Sequence, residues 1–159
     1  MELMNLRQIG GLRTLALVTS LLMTAAAINE ALGYALFTLD HPGTSFQQYL
    51  PITLVGAVPF LLTATLIILA ARGPRTAGGH RSQASVIRLR VVSGFGLLPI
   101  AIGGFWSGIG LGFLGIESNS RTAVALFIYQ FLFLAAVLAD LVLLIVAFRV
   151  RSSKEERHG

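Results

Sequence analysis

Two acidic side chains, Glu30 and Asp140, stand inside otherwise apolar runs of this chain. Placing a carboxylate in hydrocarbon costs about 2.5–3.5 kcal/mol on insertion scales, so such groups usually face a protein interior. Without a cation beside it, a buried carboxyl group favours its neutral form. A neutral acid can donate a hydrogen bond that fastens one helix to another. It can also bind and release a proton in step with the movement of a substrate. Counting about 1.5 Å per residue from the centre of each run puts Asn29, Ser107, Trp106 and Gln130 near the level of Glu30. The simpler expectation is a hydrogen bond from Glu30 to Gln130 or Asn29; the sharper one makes Glu30 a proton carrier. By the same count Asp140 falls roughly 7 Å to the other side of the centre, level with Thr65 and near Ser20. Ala135, Ala136 and Ala139 surround it with small side chains, and Arg90 is the nearest basic residue.

Other chemistries lack their parts. His41, His80 and His158 all lie outside the apolar runs. A serine nucleophile at Ser107 would therefore have no imidazole base within reach, and a bis-histidine haem would have no ligands there. Gly110 to Gly115 spells G-x-G-x-x-G, but it closes an apolar run and precedes a turn, whereas the dinucleotide motif follows a strand and opens a helix. Gly73 to Ser82 lacks the Gly-Lys-Ser/Thr that grips phosphate and Mg²⁺. The chain has no cysteine, which removes disulfides, thiolate metal sites and iron–sulfur clusters. No catalytic residue, metal or cofactor is expected, and the chain reads as a non-enzymatic protein.

The elements that must position these groups follow from composition. Of 159 residues, 55% are hydrophobic and 12% charged, about half the charge of a soluble globular chain. The charges are segregated, and the apolar runs between them are long enough to cross ~30 Å of hydrocarbon. Four spans are expected at about 14–37, 50–71, 91–114 and 122–148. They predict an all-α, four-helix transmembrane bundle forming one integral-membrane domain over 1–159. Pro59 should free the Val55 carbonyl inside the second span. Asp40-His41-Pro42-Gly43 is turn chemistry, and Ser45 with Gln48 has the spacing to cap a short interfacial helix. Arg13, an apolar stretch from Leu15 to Met23 and Ala25-Ala26-Ala27 imitate a secretory signal cleaved before Ile28. The apolar run continues to Phe37, however, as a spanning helix requires and a signal does not.

The twelve Lys and Arg residues alternate from side to side. Arg7 and Arg13 precede the first span. Arg72, Arg75, Arg81, Arg88 and Arg90 fill the basic connection at 72–90, and Arg149, Arg151, Lys154 and Arg157 follow the last span in a charged tail, 149–159, expected to be disordered. The other two connections hold only Arg121. By the positive-inside rule this gives a multi-pass protein of the cell membrane with both termini cytoplasmic. The net charge of +5 is then explained by topology and attraction to anionic lipid, not by nucleic acid.

The third run is the most distinctive. On a helical wheel Gly96, Gly103, Ser107 and Gly110 share one stripe, while Gly104, Gly108 and Gly112 form a second with GxxxG spacing. Small stripes let helix backbones approach closely. They are expected to hold neighbouring helices, with a second copy or a membrane protein partner as the sharper possibility. A third expectation is a helix broken at Pro99 and Gly103-Gly104 around a substrate. Two functions follow. One is a protein that assembles with itself or within a larger membrane complex, its partners being the bilayer and other helices. The alternative is a proton-coupled small-molecule transporter that works as an oligomer through Glu30.

Overall fold

The computed structural model describes residues 2–72, 83–116 and 120–149, with side chains placed for 11–72, 85–110 and 121–149. Among the described residues the regular structure is all helical. Four helices run in chain order: α1 (Glu2–Asp40), α2 (Phe46–Ala71), α3 (Gln83–Ile116) and α4 (Ser120–Arg149). Each contains a segment long and apolar enough to span a membrane: Gly11–Asp40, Phe46–Ala71, Ser85–Gly110 and Arg121–Arg149. The ends differ from the sequence expectation in one direction. The helices run beyond the apolar runs, because polar residues continue a helix as readily as apolar ones. Thus α1 begins well before Thr14, and Arg88 and Arg90 belong to α3 instead of a loop. The remainder of the basic connection, most of the charged tail and the side chain of Arg7 lie outside the described residues.

The helices form a ring in which each packs on its chain neighbours and α1 closes on α4. Neighbouring helices of the ring are antiparallel. The start of α3 meets the end of α4 at Arg90 and Ala147. Gly96 and Gly103 of α3 meet Thr63 and Val55 of α2 in reverse order. Helix α1 meets α2 and α4 in the same sense. Arg13 Nη2 donates to Ala71 O at 3.5 Å, and Thr122 Oγ1 donates to Asp40 Oδ2 at 3.3 Å. The diagonals are unequal. Helices α1 and α3 approach across the centre, while the backbones of α2 and α4 stay apart. Phe60 and Phe133 fill the longer diagonal, their rings edge-on with centroids 6.0 Å apart.

The turn between α1 and α2 spans only 41–45. The His41 N–H donates to Phe37 O at 3.1 Å, extending the helix pattern, and the His41 ring stacks on Phe37 with centroids 4.1 Å apart. Gly43 then takes φ 112°, the left-handed region where only glycine is unstrained. Ser45 occupies the N-cap position of α2 without a side-chain cap bond. The segment from Phe46 runs directly into the second span, so no separate interfacial helix forms.

Prolines are absorbed in two ways. Helix α3 is continuous through Pro99, Gly103 and Gly104, which overturns the broken-helix expectation. One missing N–H leaves the neighbouring turns bonded, and packing on both sides supports the helix. In α2, Pro59 cannot donate to Val55 O. That freed oxygen lies against α3 at Gly103, where a Cβ would come within 2.8 Å of it. Only a residue without a side chain permits this approach.

The interior combines many alanines with a few large side chains. Ala16, Met23, Ala26, Phe60, Ile67, Ile100, Ala136, Leu143 and Ala147 are fully or almost fully buried in one cluster. Large apolar side chains also cover the outside: Leu21, Leu62, Phe95, Leu98, Phe127 and Phe131 are all more than half exposed. A water-soluble monomer rarely exposes contiguous apolar patches beyond a few hundred Å².

Candidate functional site

Glu30 lies in the interior and is fully buried. Its place follows from helix phase. Tyr34 stands one turn later on the same face of α1, and both point across the short diagonal toward α3. There Ser107 Oγ donates a hydrogen bond to Glu30 Oε1. On α2 the carboxyl group rests against Gly56, where an added Cβ would overlap it. Glu30 Oε2 has no hydrogen-bond partner. One oxygen is therefore anchored to α3, and the other is enclosed beside the bare backbone of α2.

Two tyrosines complete this layer. Tyr34 Oη reaches the Gly110 backbone, where a Cβ would lie 2.9 Å from it, and has no hydrogen-bond partner. Tyr129 of α4 donates through its hydroxyl to Gly104 O at 3.2 Å. Both rings are fully buried, and both hydroxyls face the Ser107–Glu30 pair. All four helices thus contribute to one layer.

The other residues expected at this level take different directions. Asn29 Nδ2 donates to Ala125 O at 2.8 Å, tying α1 to α4 and not reaching Glu30. Gln130 is exposed on α4, with its amide over Gly108, where a Cβ would lie 2.6 Å from Nε2. Trp106 is 62% exposed on the outer face of α3. The structure therefore brings Glu30 and Ser107 together and leaves Asn29, Gln130 and Trp106 outside the cluster.

Asp140 forms a second buried centre. It is also fully buried, and neither carboxyl oxygen has a hydrogen-bond partner. Ser93 of α3 is equally buried and faces it without reaching bonding geometry. Arg90 Nε donates to Ala147 O at 2.8 Å, near the C-terminus of α4, and its guanidinium lies 5.0 Å from the Phe148 ring centroid. Ser20 Oγ donates to Ala16 O at 2.8 Å and to Ala64 O at 3.2 Å. Thr65 is exposed and bonds Leu61 O within α2.

The glycine stripes of α3 have neighbours within the bundle. Gly96 meets Thr63, Gly103 meets Val55 O, and Gly110 meets Tyr34. On the second stripe Gly104 meets Phe133 and Gly108 meets Gln130. Gly112 belongs to α3 but lies outside the residues with described side chains. What sequence reasoning missed is Gly56, Tyr34, Tyr129 and Ser93. A spacing of eleven residues, about three helical turns, would have linked Tyr129 to Asp140 on one face of α4.

The arrangement can hold a neutral or ionised carboxyl group at each of two levels, one anchored by a hydroxyl donor and one not. Among known proteins, no family model, no curated sequence and no solved structure matches this chain.

Proposed function

We propose that the chain is a non-enzymatic, multi-pass protein of the cell membrane, inserted with both termini cytoplasmic, and that it works as a proton-coupled small-molecule transporter. Insertion is supported by four long apolar helices and by the large apolar side chains on the outside of the bundle. The orientation is supported by the gathering of Lys and Arg in alternate connections. One observation carries the transport reading: Glu30 is sealed between helices with one oxygen held by Ser107 and the other unpartnered beside Gly56. A proton can be taken up on that oxygen without breaking an existing bond. Gain or loss of a full charge there changes what the contact between α1 and α2 can tolerate. Four helices enclose little volume, so the working unit is an oligomer whose substrate path involves more than one copy.

A second reading, a subunit that assembles with itself or within a larger membrane complex, is favoured by Gln130. Its amide is exposed on an apolar face, and an amide in hydrocarbon is satisfied by hydrogen bonding across helices.

PH-jump infrared difference spectroscopy on the reconstituted protein tests the first reading. A carboxylic acid band that responds to pH and vanishes in Glu30→Gln is the expected result, together with pH-dependent small-molecule uptake lost in the same variant. A Glu30 fully ionised at about pH 5, within a unit of an ordinary glutamate, overturns it. Native mass measurement separates the second reading, which requires Gln130→Leu to dissociate copies or a partner while leaving the Glu30 band in place.

A further inference from the structure

The Asp140 centre has a chemistry different from that of Glu30. Among the described residues, its carboxyl group, Ser93 Oγ and Thr19 Oγ1 are buried side-chain oxygens without hydrogen-bond partners on this side of the bundle. All three residues are fully buried. They come from three helices. Thr19 precedes Glu30 by eleven residues, about three turns, so it lies within roughly 20° of the same face of α1. Asp140 follows Tyr129 by the same interval on α4. Since Glu30 and Tyr129 both face the centre of one layer, Thr19 and Asp140 face the centre of the next, about 16 Å along the bundle. Ser93 faces Asp140 from α3.

We infer that Asp140, Ser93 and Thr19 form a binding site for a dehydrated monovalent metal cation, with Na⁺ as its natural size class. The charge decides the valence. Asp140 brings one negative charge, and among the described residues no group of three His, Asp or Glu side chains converges anywhere. A monovalent ion leaves the site neutral. A divalent ion would bury a net positive charge, whose desolvation costs several kcal/mol. The donors decide the class: a carboxylate and two hydroxyls are hard oxygen ligands, suited to alkali and alkaline-earth cations and poor for soft metals. The donors also argue against a proton as sole occupant. A proton on one carboxyl oxygen supplies a single donor, whereas a cation can be shared by oxygens from all three helices. Four side-chain oxygens fall short of a full shell, and water or backbone carbonyls supply the rest, as at other intramembrane cation sites. Arg90 donates to Ala147 O and Arg13 to Ala71 O, both at helix ends. This site is separate from Glu30 and does not depend on Glu30 carrying a proton.

The test uses the purified full chain in detergent, with NaCl exchanged for choline chloride at constant ionic strength. The expected result is a saturable rise in the thermal unfolding midpoint with Na⁺, because a ligand bound only by the folded state stabilises it. Binding of ²²Na⁺ should saturate at one ion per chain. Asp140→Asn should abolish both effects, and Ser93→Ala should weaken the apparent affinity about tenfold, the loss of one ligand hydroxyl. Should Asp140→Asn fail to fold, the shift in Ser93→Ala alone decides. Glu30→Gln should leave the Na⁺ response intact, which separates this site from the proton-carrier reading. Equal midpoints in NaCl and choline chloride overturn the inference. So does a Na⁺ response that survives in Asp140→Asn, or one unchanged in Ser93→Ala.

Discussion

The bundle buries one carboxyl group in each half, and the two are treated differently. Glu30 is anchored: Ser107 donates to one of its oxygens, Gly56 makes room for the group, and Tyr34 and Tyr129 enclose it. Asp140 is enclosed just as fully, yet both of its oxygens and the facing Ser93 hydroxyl lack hydrogen-bond partners. Burial is therefore equal while satisfaction is not. A polar layer with a hydrogen bond across it fixes the register of the helices it joins, even though Glu30 Oε2 and Tyr34 Oη have no partner. An unsatisfied layer costs stability, and that cost is retained only where something else uses the group. The two proposals rest on this contrast, a proton carrier in the first layer and a cation site in the second.

The largest expected effect comes from filling the space that Glu30 occupies. Gly56→Leu places a side chain where the carboxyl group now sits, and overpacking of this kind costs about 3 kcal/mol. Unfolding in mixed micelles should show that loss; a variant as stable as the parent would mean that α2 does not press on Glu30. Next, in choline chloride, Asp140→Leu should raise stability by about 2 kcal/mol, because it removes a buried carboxyl group whose oxygens have no partner. Destabilisation there would erase the difference between the two layers. The smallest effect is the most discriminating. Ser107→Ala should cost about 1.5 kcal/mol, the loss of a donor to a carboxyl group. In choline chloride Ser93→Ala should stay within about 0.5 kcal/mol of the parent, since no bond is lost. Equal costs for the two serines would show that Asp140 has a donor in solution.

Much of the framework was legible in the sequence. Four apolar runs announced four helices because ~30 Å of hydrocarbon and a fixed helix rise leave few alternatives. The levels of Glu30, Ser107 and Asp140 followed from counting along those runs. Counting sets height and not direction. Trp106 and Gln130 share the height of Glu30 but face outward on α3 and α4. Asn29, next to Glu30 in sequence, is turned about 100° away and bonds Ala125. Gly56 could not be found from α2 alone, because its role is to lack a side chain opposite Glu30. Tyr34 and Tyr129 stand inside apolar runs, and nothing in their spacing alone says that their hydroxyls meet one layer. The continuity of α3 through Pro99 was equally hidden, since it depends on what packs against the gap.

Divided at the basic connection, the chain is two helical hairpins, α1–α2 and α3–α4, and the two acids differ in how they cross that division. Asp140 and Ser93 lie on the same hairpin, so they can meet as soon as α3 and α4 pair. Glu30 lies on one hairpin and Ser107, its one hydrogen-bond donor among the described residues, on the other. Until the hairpins dock, Glu30 has no Ser107, and Ser107 has no Glu30. The Glu30–Ser107 bond is thus a seam stitch, and its formation reports that the two halves of the chain have come together in register.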